Sequence, residues 1–152
     1  MTITPKEKEL VAIGISVAAG CKPCTDYHVS VARKARATDN EMKKAAADSL
    51  LIRRQAVDIM EAHAFGHFDH EREPVVCGLL GEPNRIEALV SVGAAFAVNC
   101  TSSMEHSLTA TEAAGVSQDD IMQVVKLAAV IRQKASSHVE RLVGITEEEV
   151  AA

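Results

Sequence analysis

The sequence predicts an all-α fold, a helical bundle of two similar three-helix repeats. Three observations predict it. Aromatic residues make up only 3% of the 152-residue chain and Trp is absent, while Ala is plentiful. That composition favours closely packed helices over β-strands. Apolar residues recur at helical spacing between recognisable caps, and the pattern of the first part of the chain restarts after a connector containing Gly and Pro. With 47% hydrophobic and 24% charged residues, a chain of this length is expected to form one globular domain whose core needs no staples.

The elements follow in order. Thr4 and Pro5 read as an N-cap and a first helical residue, and Lys6 to Ala19 continue with Leu10, Ile13 and Val17 on one apolar stripe. Gly20 ends that helix. A second helix runs from Pro23 to about Arg36 with Cys24, His28 and Val31 on one side. Thr38-Asp39-Asn40-Glu41 is a capping box that opens a third helix through Met42, Ala46, Leu50, Ile52, Ala56, Ile59 and Met60, to about His63. From Gly66 to Asn84 the periodicity is lost, and Pro74, Gly78, Gly81 and Pro83 mark a connector.

Laying Cys100 on Cys21, an offset of 100 − 21 = 79, then matches Leu10 with Leu89, Val11 with Val90, Gly14 with Gly93 and Ala18 with Ala97 without a gap. Further on, Thr38 meets Ser117, Glu41 meets Asp120, and Ile52-Arg53 meets Ile131-Arg132. Repeat one is expected over about 4–64, the connector over about 65–83 and repeat two over about 84–143. Two units of this size, each too small to bury much alone, would share one core. Gly144 to Ala152 reads as a short or frayed helix end.

Charge and hydropathy exclude several partners. A net charge of −5 and a pI of about 5.7 repel a phosphate backbone, and Arg33, Lys34 and Arg36 read as a solvated helix face. No apolar run is long enough to span a bilayer. Leu10 to Gly20 followed by Cys21 imitates a lipoprotein leader, but Glu7 and Glu9 spoil its positive start, and its counterpart Ala88 to Asn99 lies inside the chain. The expectation is a cytoplasmic protein without nucleic-acid or membrane partners.

The chemistry concentrates in Gly20-Cys21-Lys22-Pro23-Cys24-Thr25-Asp26-Tyr27-His28. A Cys-x-x-Cys pair closes a small disulfide ring, and a helix opening favours the thiolate through unpaired N–H groups and the dipole. Gly20 and Pro23 suit such an opening. In the second repeat Cys100 persists, but Ser103 stands where Cys24 stood and Ser107 where His28 stood. The dithiol is therefore confined to the first repeat. Cys100 reads as a buried small hydrophobe, His106 as a surface or core histidine, and Cys77 as an exposed connector thiol. The competing reading of Cys21 and Cys24 is half of a zinc site completed by His28 or by another chain. His63, His67 and His70 have helical spacing and are a candidate metal cluster, against which Gly66 interrupts the helix. No nucleotide or flavin fingerprint is present, and no bound organic cofactor is expected.

Glu9, twelve residues before Cys21, completes the pattern Glu-x11-Cys-x-x-Cys-x3-His. This resembles the signature of the alkyl hydroperoxidase D branch of the carboxymuconolactone decarboxylase superfamily, over Lys6 to about Ala56 and more faintly over Arg85 to Ala135. The resemblance implies an all-helical homo-oligomer, a trimer or hexamer, that acts as a thiol-dependent peroxidase or disulfide reductase. Cys24 would attack a hydroperoxide and become a sulfenic acid, and Cys21 would resolve it to a disulfide. His28 would accept the thiol proton, and Glu9 would orient His28 or take its proton through a water. Electrons would come from an external dithiol, a thioredoxin-like thiol or a lipoyl group. Pro23 departs from relatives that carry a histidine between the cysteines. A decarboxylating lyase of the superfamily's other branch does not call for paired thiols, and a non-enzymatic redox sensor or metal-binding module is the third possibility. Counting along a simple helical hairpin places Glu9 opposite residues beyond His28, so its reach is the open geometric question.

Overall fold

A computed structural model describes residues 2–69, 71 and 73–152. These residues form seven helices and no strand: α1 (Pro5–Ala18), α2 (Lys22–Lys34), α3 (Asp39–Gly66), α4 (Arg85–Ala97), α5 (Thr101–Ala113), α6 (Gln118–Leu142) and α7 (Glu147–Ala151). The all-α expectation is met. α3 runs past His63 to Gly66, with His67 at its C-cap, since a single glycine costs a helix only about 1 kcal/mol and does not by itself break it. None of the helices is long and apolar enough to cross a membrane.

Local sequence sets the helix ends. Thr4 Oγ1 accepts the Glu7 N–H while Glu7 Oε2 accepts the Thr4 N–H, at 3.2 and 2.8 Å, and Thr38 with Glu41 does the same. At α6 only half of the box forms. Ser117 Oγ accepts the Asp120 N–H, but the shorter Asp120 side chain turns to Arg85 instead. Residues in left-handed conformation end α1 and α4, Gly20 and Asn99, and follow α2 and α5, Arg36 and Gly115. They share one offset, 99 − 20 = 115 − 36 = 79, and so do the starts of α2 and α5, 101 − 22 = 79.

α1 and α4 form the centre. Beyond the expected stripe of Leu10 and Ile13, Val11, Ala12 and Ile15 are also buried, because α1 packs against α2, α3, α4 and α6 and has almost no solvent face. Glycines let the two central helices approach. A Cβ at Gly14 would lie 2.5 Å from Ser49 Oγ and 2.9 Å from Val90 Cγ1, and one at Gly93 2.7 Å from Ile15 Cγ1. Burying each large aliphatic side chain here contributes about 1.5–3 kcal/mol.

Arg side chains tie the helices together. Arg85 at the start of α4 donates from Nε to Glu7 of α1 and from Nη1 to Asp120 of α6, both at 3.0 Å. Burial works to raise the Glu7 and Asp120 carboxyls, but hydrogen bonds from their caps and Arg85 outweigh it and hold both below the usual range. At the C-terminal ends of α1 and α4, Arg53 Nη1 donates to the Ala18 carbonyl at 2.6 Å and Arg132 Nη1 to the Phe96 carbonyl at 3.2 Å. These cations complement the negative helix ends. The connector is pinned by Gln55, whose amide exchanges two hydrogen bonds with the Gly78 backbone, and by Leu79, which packs on the core.

A candidate redox site at the start of α2

Cys21 is the N-cap of α2, in extended conformation, and its Sγ accepts the Cys24 N–H at 3.2 Å. Thr25 Oγ1 donates to the Cys21 carbonyl at 2.9 Å, fixing the same turn. Helix α2 begins at Lys22, one residue before Pro23; a proline in the first turn lacks only an N–H that would have no intrahelical partner. Cys21 and Cys24 are joined by a disulfide, with Cα atoms 5.3 Å apart. Both cysteines are buried.

Glu9 reaches His28. Its Oε2 lies 2.8 Å from His28 Nδ1, and both side chains are largely buried. A simple hairpin count at ~1.5 Å per residue places Glu9 opposite residues beyond His28, and these two long side chains bridge that offset. With Nδ1 engaged by a carboxylate, the ring is fixed in orientation and its Nε2 is the nitrogen left for chemistry. Tyr27 contacts the His28 ring edge-on, with centroids 5.0 Å apart.

A residue that the sequence did not single out joins the pair. His138 of α6 brings a ring nitrogen to within 4.8 Å of both cysteine sulfurs, the three atoms lying within that distance of one another. Its position in the first half of the chain, 138 − 79 = 59, is the apolar Ile59, and that departure from the repeat is the one sequence signal that marks it. The site therefore combines α1, α2 and α6. Beside it, Gly20, Val139 and Glu140 help line an open groove of about 530 Å³, one residue from Cys21 and from His138 along the chain.

The other candidates fall elsewhere. Cys100 is buried and caps α5 as Cys21 caps α2, its Sγ accepting the Ser103 N–H at 3.5 Å. Ser103 and Ser107, at the positions of Cys24 and His28, are buried with no hydrogen-bond partner for their hydroxyl oxygens. Cys77 is not the exposed thiol expected. It is half-buried, and burial, with a smaller contribution from Cys100, pushes its thiol up and away from the reactive thiolate. His106 is exposed. His63 and His67 are exposed on and just after the end of α3, with rings 5.5 Å apart, while His70 lies outside the described residues.

A disulfide at a helix start, with an oriented carboxylate–imidazole pair one turn on, is an arrangement suited to reversible thiol redox chemistry. Residues 2–62 match the family described as the carboxymuconolactone decarboxylase family. No curated protein and no solved structure matches the chain.

Proposed function

We propose that the chain, whose residues 2–62 match the carboxymuconolactone decarboxylase family, is a thiol peroxidase or disulfide reductase of the alkyl hydroperoxidase D kind. The observation that carries this reading is the convergence of the Cys21–Cys24 disulfide and the Glu9–His28 pair on one helix start.

The cycle begins with reduction. An external dithiol attacks Cys24 Sγ, and Cys21 leaves as a thiolate whose charge is met by the Cys24 N–H and the N-terminal end of α2. The donor's second thiol then displaces Cys24, releasing the donor as a disulfide. Cys24 departs as a thiolate and His28 takes the proton of the donor's second thiol, with Glu9 stabilising the imidazolium. The Cys24 thiolate attacks the terminal peroxide oxygen of ROOH. The O–O bond breaks, ROH leaves with the proton returned by His28, and Cys24 is a sulfenic acid. Cys21 displaces hydroxide from that sulfur, which departs as water, and the disulfide re-forms. His138 supplies a second imidazole near the sulfurs where Pro23 leaves none between them. The groove beside Gly20 is the route of approach.

Such a protein works where dithiols are abundant, as in the cytoplasm. It is expected to assemble as a homo-oligomer, with exposed apolar residues such as Val57, Met60 and Val130 buried between subunits. The test follows hydroperoxide loss with dithiothreitol for wild type, Cys24→Ser, Cys21→Ser and His28→Ala. Cys24→Ser should be inactive, Cys21→Ser should stop after one turnover with a dimedone-trappable sulfenic acid, and His28→Ala should lose about 10²–10⁴-fold. Unchanged consumption by Cys24→Ser overturns the mechanism.

A further inference from the structure

We propose that the reduced Cys21–Cys24 pair and His138 form a binding site for a thiophilic divalent cation of the Zn²⁺ type, open when the cysteines are thiols and abolished when they are a disulfide. The site is built from both halves of the chain, which separates it from a half-site completed by His28. His28 is not part of the cluster, which among the described residues holds the two sulfurs and His138 alone.

Three observations converge. The two sulfurs and a His138 ring nitrogen lie within 4.8 Å of one another. Zn–S and Zn–N bonds of about 2.3 and 2.0 Å in a tetrahedron put ligand atoms roughly 3.5–3.8 Å apart, so the three groups are already near the required spacing. Opening the disulfide moves the sulfurs apart towards that separation. Secondly, His138 is half-buried and has no hydrogen-bond partner among the described residues, leaving a ring nitrogen free to ligate. Thirdly, Cys21 is the N-cap and Cys24 lies in the first turn of α2, where unpaired N–H groups favour the thiolate form that ligation needs. Two thiolates and a divalent cation are together neutral, which suits cysteines that are 6% and 7% exposed. Two sulfurs and one imidazole leave a fourth position for water or an outside ligand, a donor set that zinc accepts.

Metal and disulfide then exclude each other. Oxidation of the loaded site by a hydroperoxide takes two electrons from the two thiolates to form the S–S bond. The oxidant, with two protons, becomes an alcohol and water, and Zn²⁺ leaves. Zinc occupancy in turn withholds both thiols from peroxide and from disulfide exchange.

The experiment is independent of peroxidase activity. Untagged full-length protein is reduced, freed of reductant under anaerobic conditions and titrated with Co²⁺, then with Zn²⁺. Expected are one Co²⁺ per chain with a thiolate-to-cobalt charge-transfer band and the intense d–d bands of a tetrahedral site, both lost on addition of Zn²⁺. Protein oxidised with diamide and the Cys24→Ser variant should show neither band. His138→Ala should bind at least about ten-fold more weakly with altered d–d bands, while His28→Ala, checked for folding by circular dichroism, should keep the wild-type spectrum. Absence of the charge-transfer band in reduced wild type overturns the site, as does a His138→Ala spectrum and affinity equal to wild type. Inactivity towards peroxide with a normal cobalt spectrum would instead count against the peroxidase reading alone.

Discussion

Glu9 Oε2 and His28 Nδ1 lie 2.8 Å apart although nineteen residues separate them in sequence. The contact joins α1, one of the two central helices, to the helix that carries the disulfide. Glu9→Gln keeps the shape and an acceptor oxygen but removes the charge that stabilises an imidazolium. Its kcat/KM for hydroperoxide should fall about 10–100-fold, by analogy with carboxylates that orient a reactive histidine. The melting temperature should barely move. Full activity in this variant would show that the charge is not used.

The Arg85 network sets acid stability. Glu7 and Asp120 are both held below their usual carboxylate values, so near pH 4 the unfolded chain binds more protons than the folded one. Their contribution is complete above the unfolded values, near 4, and is lost as pH falls through the lower folded values. Arg85→Met leaves Asp120, which is fully buried, without its cation. The expected cost is about 3–5 kcal/mol at neutral pH. Urea midpoints between pH 7 and pH 3 should fall with acid in wild type and change less, or rise, in the variant.

Two glycine-to-alanine changes within α1 and α3 should have opposite signs. In a helix interior Ala is favoured over Gly by about 0.5–1 kcal/mol. Gly66, the last residue of α3, has open space around a would-be Cβ, and Gly66→Ala should gain at most that amount. At Gly14 the new methyl group would sit 2.5 Å from Ser49 Oγ, and the overpacking should cost about 1–3 kcal/mol. Equal effects by chemical denaturation would contradict the close approach of α1 and α3 at Gly14.

Gly20→Ala and Gly115→Ala separate backbone strain from contact. Both residues have positive φ, +73° and +67°, which costs an alanine about 1–2 kcal/mol. Only at Gly20 would the methyl group also meet a side chain, Arg53 Nη1 at 2.7 Å. Gly20→Ala should therefore be the more destabilising of the two. The excess should shrink when Arg53→Ala is combined with it, in a double-mutant cycle.

The helices were legible because their signals are local. Thr4, Thr38 and Ser117 are caps three residues from their partners, and the apolar phase of Leu10 to Ile15 repeats in Leu89 to Ala94. The dithiol was legible for the same reason, since Cys21, Cys24 and His28 share one helix start. Glu9 could be named from a family pattern, but helix crossing and side-chain reach, which no linear count contains, decide its contact with His28. His138 left only one trace in the sequence, its departure from the apolar Ile59 at the matching position of the first repeat. It lies on α6, in the other half of the chain from the sulfurs, and comes to them only through the packing of the two halves. The reading of Cys77 as exposed failed because Gln55, a residue of α3, clamps the connector at Gly78, and a connector's composition does not disclose such a clamp.

Cys100 adopts φ −98° and ψ 108°, and Cys21 adopts φ −97° and ψ 101°. One molecule thus holds the same cysteine-capped turn twice, once with a thiol three residues on and once with a hydroxyl. The second turn is an internal reference state. Comparing hydrogen exchange at the Cys24 and Ser103 amides in oxidised and in reduced protein subtracts the shared backbone, solvent and temperature. The remainder is the free energy that forming the sulfur–sulfur bond lends to the first turn of α2.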